Sequence, residues 1–194
     1  MKYKSTASDS QNNGTGFFLL AVIAAGGILA GAFYVSHGHA AASPLIHQYF
    51  SPAEKGKAFS DIFGHTFVSS ALFLIAAAVS GLSAVGQPLA SALLLYRGFG
   101  IGAASAAVYG SSGFNAVSSV LTGVVPKAVA VIAVSVLAVR ESIRSSSGIM
   151  YYLAKGEAPD RHSNELKMYL IRFAVLLLIS TVISIGDALL NVLA

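Results

Sequence analysis

The stretch GFFLLAVIAAGGILAGAFYVS, residues 16–36, decides the fold, because none of its side chains carries a charge. A transmembrane α-helix needs roughly 20 apolar residues to cross a hydrocarbon core about 30 Å thick. Four further apolar stretches of comparable length follow at residues 66–85, 88–110, 115–139 and 168–194. The sequence therefore predicts an all-α, polytopic membrane helix bundle with about five transmembrane helices.

The composition of the whole chain indicates the same class of protein. Of its 194 residues, 55% are apolar and 10% are charged, whereas a soluble domain typically carries about 25% charged residues. This excludes an ordinary soluble enzyme and a disordered chain. The basic residues behind the net charge of +4 form no dense patch, so we expect the lipid bilayer, and not nucleic acid, as partner. The absence of cysteine excludes disulfides, thiolate metal sites and cysteine nucleophiles.

The first apolar stretch allows two interpretations. Lys2 and Lys4 precede it and three alanines follow at residues 40–42, as a signal peptide and its cleavage site would require. The apolar region of a signal peptide, however, is usually about 7–15 residues long. Because residues 16–36 exceed that length, we expect them to be retained as a membrane helix.

The distribution of Lys and Arg predicts the orientation in the membrane, since cytoplasmic segments carry an excess of both. With the N-terminus inside, seven of these residues are cytoplasmic, against Lys55 and Lys57 on the outer side. The seven are Lys2, Lys4, Arg140, Arg144, Lys155, Arg161 and Lys167. We therefore predict that the N-terminus lies inside and the C-terminus outside.

The segments outside the spans divide accordingly. Residues 1–15 are mostly small and polar and predict a flexible cytoplasmic tail, which leaves residues 16–194 as a single integral membrane domain. Residues 37–65 form the predicted outer loop, in which residues 44–63 are expected to contribute interfacial helices. Residues 140–167 form the predicted cytoplasmic loop.

Small residues recur at the spacing used in helix packing. They are Gly27 and Gly31 in the first span, and Gly98, Gly102, Ala106 and Gly110 in the third. Small residues four positions apart let two helix backbones approach closely in lipid. The pattern predicts tight packing inside one bundle. The alternative is a surface for self-association into a homo-oligomer, or for another partner.

Four charges fall inside the predicted spans, where an ionised side chain is costly. Arg172 and Asp187 are interpreted as charges near helix ends. Arg97 and Lys127 are placed deeper, in the cytoplasmic half of the bilayer, and Glu141 is the nearest cytoplasmic acid in sequence. Arg97 and Lys127 predict an intramembrane polar site for a solute, a lipid headgroup or a partner's acidic residue. The alternative is that both side chains snorkel to the inner headgroups.

The histidines are weak candidates for a metal site. Four of them fall in one segment: His37, His39, His47 and His65. A metal site needs a defined ligand geometry, and these spacings supply no fixed second pair, so we expect solvated histidines and no metal. The chain also lacks a nucleophile elbow, an H-E-x-x-H motif and a phosphate-binding loop. We therefore predict no cofactor and no enzymatic activity.

The order of motifs between residues 81 and 140 resembles a known family. Gly86-Gln87-Pro88, interpreted as a tight cytoplasmic turn, is followed by an apolar run and by Arg97-Gly98-Phe99-Gly100-Ile101-Gly102. Gly123-Val124-Val125-Pro126-Lys127 then lies inside the next span. This order resembles the stage II sporulation protein M family of bacterial integral membrane proteins, although Lys127 stands where we expect a polar amide. The motif residues are Gly86, Pro88, Arg97, Gly98, Gly102, Pro126 and Lys127.

The resemblance implies a role in endospore formation. It implies a non-catalytic scaffold of the engulfment machinery in the mother-cell membrane, which recruits and positions two peptidoglycan-degrading partners, the stage II sporulation proteins P and D. The residues themselves leave an alternative open. This is a small-solute or ion transporter or channel component with an intramembrane site around Arg97 and Lys127.

Overall fold

The chain is helical in the part that the structure, a computed structural model, describes: residues 6–37, 59–112, 125–155 and 162–193. Five helices and no strand occupy these residues. They are α1 (Thr6–Ser36), α2 (Phe59–Gly81), α3 (Gly86–Ser112), α4 (Val125–Lys155) and α5 (His162–Leu193). The predicted all-α class is confirmed. The interfacial helices predicted at residues 44–63 lie mostly outside the described residues.

Four helices contain a segment long and apolar enough to cross a membrane. The segments are Gly16–Ser36, Phe59–Gly81, Gly86–Ala107 and Leu166–Leu190. Large apolar side chains cover their outward faces, such as Leu29, Leu178 and Val182, each more than half exposed. Lipid accommodates such side chains, and a helix satisfies its backbone hydrogen bonds internally, as hydrocarbon demands. The polytopic bundle is therefore confirmed, whereas the fifth pass, through α4, and the orientation stay predictions.

Helix α4 contacts each of the other four helices, and α2 contacts α3, α4 and α5. Helix α1 lies to one side, mainly against α3 and to a smaller extent against α4. The buried side chains that form the common core include Phe73, Leu74, Ala77, Leu94, Val139, Phe173 and Leu176. Any polar residue on the inner face of α2 is consequently presented to three neighbouring helices.

The helices extend beyond the predicted spans. Helix α1 begins at Thr6, so most of the predicted flexible tail is helical. Helix α2 begins at Phe59, within the predicted outer loop. Helix α4 continues to Lys155 and α5 begins at His162, so most of the predicted cytoplasmic loop is helical as well. The physical reason is that a nucleated helix gains one backbone hydrogen bond for each residue it adds.

The turn between α2 and α3 consists of residues 82–85 and not of Gly86-Gln87-Pro88, so the predicted position of the turn is wrong. Gly86 begins α3, and its N–H donates to the Ser83 carbonyl oxygen. A Cβ at Gly86 would overlap the carbonyl of Ser80. Pro88 lies in the first turn of α3, where the missing N–H leaves no helical hydrogen bond unmade. These motif residues therefore start a helix.

Candidate functional site: a polar network inside the bundle

One face of α2 presents a row of polar side chains to the other core helices. Ser69, Ser70 and the apolar Phe73 stand three, four and seven positions after Thr66, which places all four on one side of the helix. Thr66 and Ser70 are buried. A buried polar group without a hydrogen-bond partner costs free energy, so this row needs partners from the helices packed against it.

Arg97 of α3 binds the middle of this row. Its Nη1 donates to the Ser69 carbonyl oxygen at 3.0 Å, and its Nη2 donates to Ser70 Oγ at 3.0 Å. The guanidinium carbon lies 5.0 Å from the centre of the Phe73 ring, an attractive cation–π arrangement. The residue is only 7% exposed, so it points inward to α2 and does not snorkel. Its Nε is buried without a hydrogen-bond partner, and no carboxylate of the described residues pairs with it.

Lys127 of α4 binds the same row one turn away, together with Asp187 of α5. Lys127 Nζ donates to Asp187 Oδ2 at 2.6 Å and to Thr66 Oγ1 at 3.4 Å. Thr66 Oγ1 donates to Asp187 Oδ2 at 3.0 Å. The three side chains, which we call the triad, join α2, α4 and α5. The interpretation of Asp187 as a charge near a helix end gave it no partner, whereas this buried carboxylate is the counter-ion of Lys127.

The two cations lie at different depths. Thr66 is about 10 Å along α2 from Phe59, and Ser70 about 16 Å, at 1.5 Å per residue. Arg97 is therefore near the middle of α2, whereas Lys127 lies towards the end where α2 begins. With the predicted orientation, Lys127 lies nearer the outer side than Arg97, and not beside it in the cytoplasmic half, because its partners belong to the first half of α2 and the last turns of α5.

A second set of polar contacts fastens the opposite end of α2. Ser142 Oγ of α4 donates to the Ala77 carbonyl oxygen at 2.6 Å, and the Tyr169 hydroxyl of α5 donates to the Ala78 carbonyl oxygen at 2.8 Å. Both carbonyls belong to the last turns of α2, and that of Ala78 is one of the last four, which have no partner within the helix. Glu141, considered above as an acid for the intramembrane cations, instead pairs with Arg172 at 2.6 Å.

The glycine rows of α1 and α3 pack against each other. A Cβ at Gly27 would lie 2.5 Å from the Leu95 carbonyl oxygen, and one at Gly98 would lie 2.6 Å from the Ala24 carbonyl oxygen. Gly31 and Gly102 are tighter still, since a Cβ at either would overlap a backbone carbonyl of the facing helix. Four of the six predicted packing residues thus hold two helices of one chain together. Of the others, Ala106 is half-buried, and the surroundings of Gly110 lie outside the described residues.

The four candidate histidines do not come together in the part of the chain that the structure describes. His37 directly follows α1, and its Nδ1 lies 3.0 Å from the Phe33 carbonyl oxygen. His65 lies in α2 and is exposed, whereas His39 and His47 fall outside the described residues. No group of three His, Cys, Asp or Glu side chains suited to a metal ion occurs among the described residues.

The sequence interpretation missed the hydroxyl residues of the network. Thr66, Ser69 and Ser70 bond to the charged residues, whereas Ser142 and Tyr169 bond to backbone carbonyls of α2. A usable signal was present in α2, where hydroxyl residues recur at helical spacing inside an otherwise apolar span. The pairing of Lys127 with Asp187 had no such signal, because it depends on which helices are neighbours.

The fold and this network define a class: a polytopic α-helical membrane protein whose intramembrane polar groups bond one helix to another. The family model for stage II sporulation protein M matches residues 17–184, from the first span nearly to the end of α5. The chain therefore belongs to the stage II sporulation protein M family, and it is a sporulation-related membrane protein. A search of curated proteins found no match, and neither did a search of solved structures.

Proposed function

We propose that this protein is a non-catalytic multi-pass scaffold of the sporulation engulfment machinery. It recruits and positions peptidoglycan-degrading partners, the stage II sporulation proteins P and D, at the mother-cell membrane. Membership of the family supports the sporulation setting. The engulfment role and the two partners follow from the resemblance set out above.

The observation that supports the scaffold role is that the charged side chains inside the bundle bond one helix to another. Asp187 holds Lys127, and Arg97 holds the middle of α2. General acid–base catalysis needs a titratable group within reach of a substrate proton. Charged side chains that bond two helices together instead hold those helices in a fixed arrangement. A rigid arrangement suits a scaffold that positions partner proteins.

Co-purification tests the proposal. We expect an affinity-tagged copy of the chain, solubilised in mild detergent from sporulating cells of its host, to retain the two hydrolases. The control is an unrelated polytopic membrane protein with the same tag. Equal recovery of the hydrolases with both baits would contradict the scaffold role.

One observation favours a second candidate, a transporter or channel component for small anions. The Arg97 guanidinium lies inside the bundle with a buried, unbonded Nε, and intramembrane cations often mark ion pathways. Flux of chloride or phosphate into vesicles that contain the purified protein, abolished by Arg97→Leu, would support this function. The scaffold proposal expects no flux above that of protein-free vesicles.

A further inference from the structure

We propose that Thr66, Lys127 and Asp187 are positioning residues for partner binding. The triad holds the ends of α2, α4 and α5 that are predicted to face outward, and so fixes the starts of α2 and α4 relative to each other. This inference rests on the proposed scaffold function. It adds the residues that hold the outward-facing helix ends of the scaffold in a fixed arrangement.

The geometry of the triad joins three helices at one point. Asp187 Oδ2 accepts a hydrogen bond from Lys127 Nζ and another from Thr66 Oγ1. Lys127 Nζ also donates to Thr66, so each member contacts the other two. The side chain of Asp187 is 5% exposed, which keeps water from competing for these bonds. Loss of any one member therefore loosens all three helices.

The position of the triad decides what it controls. Lys127 is the third residue of α4, and Thr66 lies about 10 Å along α2 from Phe59. Residues 38–58 lead into Phe59, and residues 113–124 lead into Val125. The predicted orientation places both of these segments on the outer side, where the wall hydrolases act. Because helices are stiff over two turns, fixing Thr66 against Lys127 fixes the two helix starts against each other.

The choice of a charged pair supports a positioning role over a purely stabilising one. A buried ion pair can often be replaced by well-packed apolar side chains without loss of stability. Its advantage lies in specificity, since a shift that separates the ammonium group from the carboxylate leaves a buried charge without its partner. Apolar contacts between α4 and α5 would tolerate a shift that the ion pair resists.

Distance measurements between spin labels test the geometry. The chain has no native cysteine, so Asp61→Cys and Val125→Cys provide the only two labelling sites, both at exposed positions. In lipid nanodiscs we expect a narrow distance distribution, which widens in Asp187→Asn and in Lys127→Met. The exchanged pair, Lys127→Asp with Asp187→Lys, should narrow it again. Glu141→Gln serves as the matched control, because it breaks an ion pair at the other end of the bundle.

Hydrolase recovery by the same variants tests the link to partner binding. We expect recovery to fall about tenfold in the two single variants, which corresponds to about 1.4 kcal/mol of binding free energy, and to return in the exchanged pair. Unchanged distance distributions in both single variants would overturn the inference. It would also be overturned if the original chain recovers the hydrolases and both single variants recover them equally well. If the original chain recovers no hydrolase, the proposed function itself is contradicted.

Discussion

Lys127 and Asp187 form a 2.6 Å ion pair across 60 residues of sequence. The pair joins the beginning of α4 to the last turns of α5, and Thr66 of α2 bonds to both partners. Each charge thereby offsets the cost of placing the other between packed helices. The ion pair and its hydroxyl partner link three of the five helices.

Removal of one partner of this pair should be strongly destabilising. Asp187→Asn should lower the free energy of unfolding by about 1.5–3 kcal/mol, because Lys127, whose side chain is 29% exposed, loses its counter-charge. The double variant Lys127→Met with Asp187→Leu should lie closer to the original protein. Denaturant unfolding in mixed micelles measures these differences. Glu141→Gln, at a partly exposed pair, should cost no more than about 1 kcal/mol. Additive losses in the double variant would contradict the coupling.

Arg97→Leu should separate stability from function. Arg97 has no acidic partner among the described residues, so its removal also removes the cost of burying a charge, and we expect a stability change below about 1.5 kcal/mol. If Arg97 holds α3 in its working position on α2, spore formation should nevertheless fall. Immunoblots of membranes together with spore counts measure both effects. Normal spore counts at normal protein levels would show that the α2–α3 contact is dispensable.

The glycine contacts between α1 and α3 predict a position-specific effect. Gly31→Leu and Gly102→Leu should each cost about 1–3 kcal/mol or more, because the new side chain meets backbone atoms of the facing helix. Gly26→Leu is the matched control, since no atom lies within 4 Å of the Cβ that it would introduce. Thermal unfolding in detergent compares the three. Equal losses at all three positions would indicate an effect of helix propensity and not of packing.

The hydroxyl of Tyr169 should stabilise the end of α2. Tyr169→Phe removes the donor to the Ala78 carbonyl oxygen and should cost about 1 kcal/mol. Ser105→Ala is a suitable control, because Ser105 bonds only to the Ile101 carbonyl of its own helix. Denaturant unfolding again supplies the comparison. A larger loss in Ser105→Ala would contradict the role assigned to the Tyr169 hydroxyl.

The predicted orientation has a direct test of its own. A reporter that is active only in the cytoplasm should give a signal when fused after Arg144 and none when fused after Ala194. A reporter active only outside should give the opposite pattern. The reverse result would show that the basic residues orient the protein differently from the prediction.

Much of the fold could be predicted from local features of the sequence. The spans in α1, α2, α3 and α5 follow from uninterrupted apolar length, and the glycines of α1 and α3 predict close packing from their spacing alone. Helix ends were predicted less well, because helical hydrogen bonding continues beyond the apolar segment, as in α4 after residue 139. Only the tertiary arrangement reveals that Asp187 belongs with Lys127 and Glu141 with Arg172.

Localisation of the two hydrolases in sporulating cells tests the central claim most directly. Fluorescent fusions of both should gather at the engulfing mother-cell membrane when the chain is present. They should disperse, with engulfment arrested, when its gene is deleted, and they should gather again when the gene is restored. Normal localisation and complete engulfment in the deleted strain would contradict the scaffold role.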